Sequence, residues 1–543
     1  MNSKSRLNGF TRREVLKASL ASAAAVCLGP VISRMAHGAW GALPTDIWVP
    51  GVSGYKVLEL HCFGGMAPFE SFYYRDVAGS RTRGFDTEVG ALNWNPACAN
   101  APSGLETHAF STDSNGKSVH LGPFSKPLWD NQNIRRRMRV AVQRHDLLPH
   151  EAAIPYVATG SRLGRPNQAP PGTAIQHRLA ELDLEAANGR VLPHSYALLP
   201  ETNTTGGSLF TLVQQIQSLV GAHPGSSKPL VLKIGDTFGD FITQLNRNNL
   251  GTSKDAVNAL IDQFRALYRD KLRWQPENFV TRSTAFSDYD AAAARLMNAD
   301  TLESLLSGSP QTINPQAFCA REGALPFDTA DNGTRAALEF AAFLLTRPAN
   351  EAASSVFVLD SGIARTGLPY DVHSAFNAAD TGTNLWNLLD SLVSVIRDPN
   401  NPTADDANKI DLNDTLVVIN TDFGRTPFKS SANAPNPASN GRDHYPECYT
   451  KVLIGGPIPL EISDGVANRV IGSITDGSDE TVMSDVPFSA TDTKAAMLMA
   501  AGVDPFAGEN FALGSLTPSL VVPSADPHHA TMENLRQVFF GVS

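Results

Sequence analysis

Five short apolar runs, each ending abruptly in polar residues, constrain this chain more than any other feature. They are Lys56–Cys62, Arg139–Gln143, Ser355–Asp360, Thr415–Asn420 and Lys451–Ile454. Runs of this length match buried strands and are too short for helices. Apolar residues at helical spacing fill the intervals, over Ala336–Leu345, Thr383–Val395 and Asp492–Ala501. Alternation of this kind predicts an α/β fold: an α/β/α sandwich with a mainly parallel central sheet and helices on both faces. A charged fraction of only 18% suits a sheet buried on two sides. At 543 residues a count of three or four domains is the usual expectation. The strands with suggestive polar ends nevertheless flank residues 200–320, which read as a mostly helical insertion. A single domain over residues 45–543 is therefore expected. Arg75 to Pro127 is rich in Gly, Asn, Ser and Pro and reads as elaborated loop.

The first 38 residues stand apart. Arg12-Arg13 precedes a mild apolar stretch from Ala18 to Ile32, and Ala36-His37-Gly38 offers a small-residue cleavage site. This order predicts a twin-arginine signal peptide over residues 1–38, with Val15 where the pattern usually has Phe. Cys27 follows the bulky Val26, which argues against a lipid anchor. The expected location is periplasmic or secreted, with the twin-arginine translocase as a partner during export. Residues 1–38 carry six basic side chains against Glu14 alone, so the overall −10 becomes −15 once that +5 is removed. An acidic chain of this kind is not expected to bind nucleic acid, which needs a basic face. No later apolar run reaches the length of a membrane span, so no membrane association is expected after cleavage. The remaining cysteines, Cys62, Cys98, Cys319 and Cys448, form no CxxC pattern, which leaves disulfides and buried thiols both open.

In a parallel sheet, ligands bind beyond the carboxyl ends of the strands, so the polar residues that follow each run carry the chemistry. Asp371 and His373 lie at i and i+2 after the third run and project to one side of an extended segment. Asp422 stands just past the fourth run, with Arg425 three residues on. Asp443 and His444 precede the fifth. Together they make a mixed oxygen and nitrogen donor set of the kind that holds Zn²⁺, Mn²⁺ or a similar divalent ion. Singly, each has a plainer role: the aspartates as turn or cap residues, the histidines as surface or satisfied buried rings, Arg425 as an ion-pair partner. Asp422-Phe423-Gly424 spells a kinase magnesium triplet, but no accompanying Gly-rich loop or catalytic loop is present. Asn115-Gly116-Lys117-Ser118 echoes a phosphate loop, with Ser111 where the first glycine belongs.

The order of motifs carries a resemblance. Phe63-Gly64-Gly65, His150-Glu151-Ala152-Ala153 leading to Thr159-Gly160, Tyr370-Asp371-Val372-His373, Thr421-Asp422-Phe423-Gly424-Arg425-Thr426-Pro427 and Gly441-Arg442-Asp443-His444 occur in that sequence. They resemble a bacterial family of exported proteins of unknown function, related to the alkaline phosphatase and sulfatase superfamily. The resemblance runs from about Lys56 to Pro505. It implies an alkaline phosphatase-like fold and a metal-dependent hydrolase of phosphate or sulfate esters, with a small-molecule or glycan ester as substrate. The implied ligands of a divalent ion (Zn, Mn, Ca or Mg) are Asp371, His373, Asp422 and His444, with Asp443 as a further ligand or as the partner that orients His444. Glu70 is an additional candidate. Arg425 would steady developing negative charge. His150 occupies the place of the superfamily's nucleophile and would act as nucleophile or base. The chain departs from the superfamily in having Gly64-Gly65 where a ligand carboxylate follows the first strand, and Phe423 where a ligand histidine follows the aspartate. These departures favour one ion over two. They also leave room for a non-catalytic binding or assembly protein, or a lyase or polysaccharide-modifying enzyme on the same fold.

Overall fold

The computed structural model describes residues 54–75, 106–162, 170–181, 195–200, 230–234, 333–348, 351–360, 362–363, 368–371, 377–404, 406–426, 443–461, 469–475, 484–506 and 516–541, with a few positions between 259 and 267. The expected signal over residues 1–38 lies outside them, as do His373, Cys98, Cys319 and most of the expected insertion.

The strands of the central sheet are β1 (Lys56–Cys62), β2 (Met138–Gln143), β3 (Ser195–Pro200), β4 (Leu230–Ile234), β5 (Ser355–Asp360), β6 (Thr415–Thr421), β7 (Tyr449–Gly455) and β8 (Val470–Ile471). Their spatial order is β8-β2-β7-β6-β1-β5-β3-β4. β1 pairs in parallel with both β6 and β5, and β3 joins β5 to β4 in parallel. β7 alone runs the other way, antiparallel to β6 and β2. All five runs expected as strands are strands of this sheet. β3, β4 and β8 were not expected. Within the segment read as a mostly helical insertion, residues 200–320, the Leu-Val-Leu-Lys-Ile run of β4 is an edge strand of the sheet; most of that segment lies outside the described residues. The Arg75–Pro127 stretch is likewise not all loop: His108–Thr112 and Ser118–Leu121 pair as an antiparallel hairpin.

Successive side chains of a strand point to opposite faces, and the sheet divides two cores accordingly. Leu58, Leu60, Val417, Ile419, Val356 and Val358 face one way, against helices Gly333–Thr346 and Asn377–Val395. Val57, Leu416, Val418 and Leu453 face the other way, against Ala490–Ala500 and Pro527–Phe540. The helices used below are α1 (His150–Thr159), α2 (Pro171–Glu181), α3 (Gly333–Thr346), α4 (Asn377–Val395), α5 (Ala490–Ala500) and α6 (Pro527–Phe540). α5 begins with a reciprocal capping box between Ser489 and Asp492, which satisfies two backbone donors at its start. α1 ends at Gly160, whose φ of 69° is the left-handed conformation that suits glycine at a helix C-terminus. Among the described residues no helix is long and apolar enough to cross a membrane. Cys62 and Cys448 are buried free thiols.

Just past β1 the chain turns through Gly64 and Gly65, with φ of 111° and 99°. A Cβ on Gly64 would lie 2.4 Å from the backbone nitrogen of Asp371, and one on Gly65 would lie 2.8 Å from Arg425 Nε. The glycines therefore let the β1 loop press against the two segments that carry those side chains. Gly64→Ala is expected to cost about 2–4 kcal/mol in denaturant unfolding, from strain and displaced backbone together. A cost under about 1 kcal/mol, the range of a relaxed surface change, would show that this close approach is not tight.

Candidate functional site

The carboxyl ends of β1, β2, β5 and β6 lie along one edge of the sheet, and the polar residues after them converge there. The last residues of β6 are followed at once by Asp422, which is fully buried. Its carboxylate accepts from the backbone N–H of Gly64 (3.2 Å) and from Thr421 Oγ1 (3.2 Å). It also accepts from His150 Nδ1 at 2.5 Å. His150 opens α1, seven residues past β2, and this bond fixes its ring. The opposite nitrogen, Nε2, is buried and lies 3.3 Å from Asp371 Oδ2, an ion pair when the ring is protonated.

Asp371 is held from its other oxygen. Arg425, with none of its side chain exposed, donates to Asp371 Oδ1 at 2.7 Å and to the carbonyls of Gly64 and Tyr370. His444 lies across the same oxygen, with Nε2 3.3 Å from Asp371 Oδ1. The short ladder between Gly424–Arg425 and His444–Tyr445 brings Arg425 and His444 into register. His444 Nδ1–H donates to the Leu148 carbonyl at 2.9 Å, so its Nε2 carries the lone pair when the ring is neutral. Phe423 stacks on His444 at 4.2 Å and packs on His150 at 4.7 Å. The aromatic ring found in place of an expected ligand histidine thus forms an apolar wall for two imidazoles.

The charges follow from this packing. Burial disfavours the charged form of His150, but the carboxylates of Asp371 and Asp422 outweigh it and raise the ring's pKa to about 9. Burial works against the Asp422 carboxylate too, yet the hydrogen bond and charge of His150 hold it below the ordinary carboxylate value. His444 is lowered, by burial first and by the nearby positive groups Arg425 and His150. A neutral His444 then turns a lone pair toward a carboxylate, while a proton on His150 Nε2 occupies the remaining gap. Behind the site, His145 Nε2–H donates to the Asp422 carbonyl at 2.6 Å and its Nδ1 accepts from Leu147 N–H at 3.1 Å. Those two bonds fix its neutral tautomer.

Among the described residues, one group of donors fits a metal ion: His150, Asp371 and His444, whose ligand atoms lie within 4.8 Å of one another. Asp371 and His444 take the place expected of ligands. His150, expected as nucleophile or base, contributes a donor to the same group. The converging group does not contain Asp422, because its carboxylate faces the rear nitrogen of His150. Asp443 is outside it as well; its backbone exchanges hydrogen bonds with Thr426. Glu70 is buried in a different segment, whose backbone packs against Gly122, and its carboxylate does not join the three. His373 lies outside the described residues. His145 was missed by sequence reasoning, although it stands two residues past β2. The strand-end rule that selected Asp422 would have found it, had it been applied to every strand.

A family model described as "Protein of unknown function (DUF1501)" matches residues 407–506. The match runs from just before β6 to just past α5 and includes Asp422, Arg425, Asp443 and His444. His150 and Asp371 come from outside it. No curated protein matches the chain.

In the metal-free protein the His150 ring is expected to titrate near pH 9 by NMR, and Asp422→Asn is expected to lower that midpoint. Since the folded value lies above the ordinary 6.5, the pair's contribution to stability is full below pH 6.5 and is lost as pH rises through about 9. A wild-type midpoint at or below 6.5 would contradict this electrostatic picture.

Proposed function

We propose that the chain is an exported, metal-dependent hydrolase of phosphate or sulfate esters. The observation that carries this reading is the convergence of His150, Asp371 and His444 donor atoms within 4.8 Å. Three features of the donor set fit a divalent ion. Two are imidazole nitrogens and one is a carboxylate, a mixture that suits Zn²⁺ or Mn²⁺. His150 is oriented by a carboxylate on its other nitrogen, the arrangement that fixes the tautomer and raises the basicity of metal-binding histidines. His444 is oriented in the same sense by the Leu148 carbonyl. An ion bound by these residues would act as a Lewis acid toward an ester oxygen.

The chain's own groups then have definite tasks. Asp422 holds the His150 ring and balances its charge. Arg425, fully buried and committed to Asp371 and two carbonyls, is a positioning residue that keeps Asp371 Oδ1 occupied and turns Oδ2 toward His150. Phe63 and Phe423 pack on the His150 ring and exclude water from one side of it. His150 lies in the first turn of α1, where the positive end of the helix dipole favours a negatively charged substrate group. The resemblance to alkaline phosphatases and sulfatases agrees with such a substrate and with an alkaline phosphatase-like sheet. A twin-arginine signal would send the folded protein to the periplasm.

A specific observation favours a second reading, a non-catalytic binding or assembly protein. Gly64 and Gly65 press directly on Asp371 and Arg425, so the two positions after Phe63 bring no carboxylate to the site, where the superfamily supplies one.

Titration calorimetry separates the outcomes. Zn²⁺ or Mn²⁺ is expected to bind one ion per chain. Loss of a ligand in His150→Ala or His444→Ala should weaken binding by about 100-fold or more, and Asp422→Asn by about 10–100-fold. Aryl phosphates or sulfates should then be hydrolysed at a rate abolished by chelation. Metal binding without turnover of either ester would support the second reading. Equal affinity in wild type and His150→Ala would overturn the metal site itself.

A further inference from the structure

Behind the site, on the sheet face that packs against α1 and α5, the apolar core gives way to a buried polar layer. His61 of β1 is aligned with Asn420 of β6, and Tyr449 of β7 with Gln143 of β2. Glu59 shares the His61 face of β1 and accepts from Asn420 Nδ2 at 3.0 Å. Gln143 Nε2 donates across to Thr493 of α5 at 3.0 Å, and Lys494 is the next residue of that helix. Lys494 carries its stem against the end of α1, where a Cβ on Gly160 would lie 3.1 Å from its Cδ.

Four of these side chains are buried with polar atoms that make no hydrogen bond. They are both ring nitrogens of His61, Lys494 Nζ, Tyr449 Oη and Gln143 Oε1. Buried polar atoms are rarely left in this state, and a cluster of them on one face implies a further partner. Its chemistry follows from the inventory. Lys494 only donates, Gln143 Oε1 only accepts, the neutral His61 ring offers one of each, and the Tyr449 hydroxyl does both. An anion would serve only the donors and a cation only the acceptors. Water serves all of them, and internal waters typically make two to four such bonds.

The charges agree with an occupied polar layer. Burial lowers His61 to about 4, so the ring is neutral. It also lowers Lys494 to about 7, with Glu59 opposing the shift. The charged groups felt by His61 beyond this layer are Lys451, Asp422 and His150. His61 is the strand partner of Asn420, two residues before Asp422, and that alignment links the layer to the buried side of the Asp422–His150 pair.

We propose that this layer is an internal water-binding site, and that it gives the Asp422–His150 hydrogen bond a rear connection to exchangeable protons. It is independent of the reaction proposed above. Water entering from behind lets the proton between His150 Nδ1 and Asp422 exchange without the front of the site opening.

A high-resolution crystal structure of the full chain, together with NMR exchange of the low-field His150 Nδ1 proton, tests this. Ordered water is expected within about 3.2 Å of Lys494 Nζ and of a His61 ring nitrogen. His61→Phe and Lys494→Met should each remove water and slow exchange of that proton by about tenfold or more. If one variant fails to fold, the other and the wild-type water positions still decide the matter. A dry layer in the wild type would overturn the proposal, as would exchange rates unchanged in a folded variant.

Discussion

The hydrogen bond between His150 Nδ1 and Asp422 Oδ2, 2.5 Å long and fully buried on the carboxylate side, is the interaction on which the site depends. It joins two strand ends, because Asp422 follows β6 and His150 begins the helix after β2. It also fixes the direction of Nε2, which in turn faces Asp371. The remaining contacts support this line: Gly64 N–H and Thr421 on the Asp422 carboxylate, Arg425 on Asp371, and Leu148 on His444. Charge is distributed so that each carboxylate has a cationic or donating partner. A buried ionised carboxylate without such partners would cost several kcal/mol, which is why the groups form a connected set.

Much of the fold was legible because buried parallel strands are continuous apolar runs, and five of them stand out between helical patterns. β8 was not, because two residues carry no pattern. β3 and β4 were missed because Ser195–Pro200 has only a short apolar run that closes on a proline, while Leu230–Ile234 is a single short run in a segment of helical spacing. β7 runs antiparallel, which its composition does not reveal: Lys451 looks like a strand's start but lies mid-strand, buried beside other polar groups.

For the site, the strand-end rule singled out Asp371, Asp422 and Arg425, and the Asp-His pair before β7 singled out His444; the structure brings these side chains together with His150. What the rule could not supply was the division of labour. Asp422 and Asp371 both follow strands, yet one meets the rear nitrogen of His150 and the other the front. That difference arises from the glycine turn after β1 and from the clamp of Arg425, both long-range contacts. His150 was placed by motif order as a reactive group, and only the packed structure brings its Nε2 beside His444 and Asp371. Glu70, chosen for its closeness in sequence to Gly65, is buried, with its backbone against Gly122.

In the proposed site His150, Asp371 and His444 hold one divalent ion, with Asp422 orienting His150 from behind. Anomalous diffraction from crystals grown with Zn²⁺ or Mn²⁺ tests it most directly. A single anomalous peak is expected within about 2.0–2.2 Å of His150 Nε2, His444 Nε2 and an Asp371 carboxylate oxygen, with the His150 Nδ1–Asp422 bond intact. No peak at that point, or a peak bound instead by the Asp422 carboxylate with His150 turned away, would contradict it.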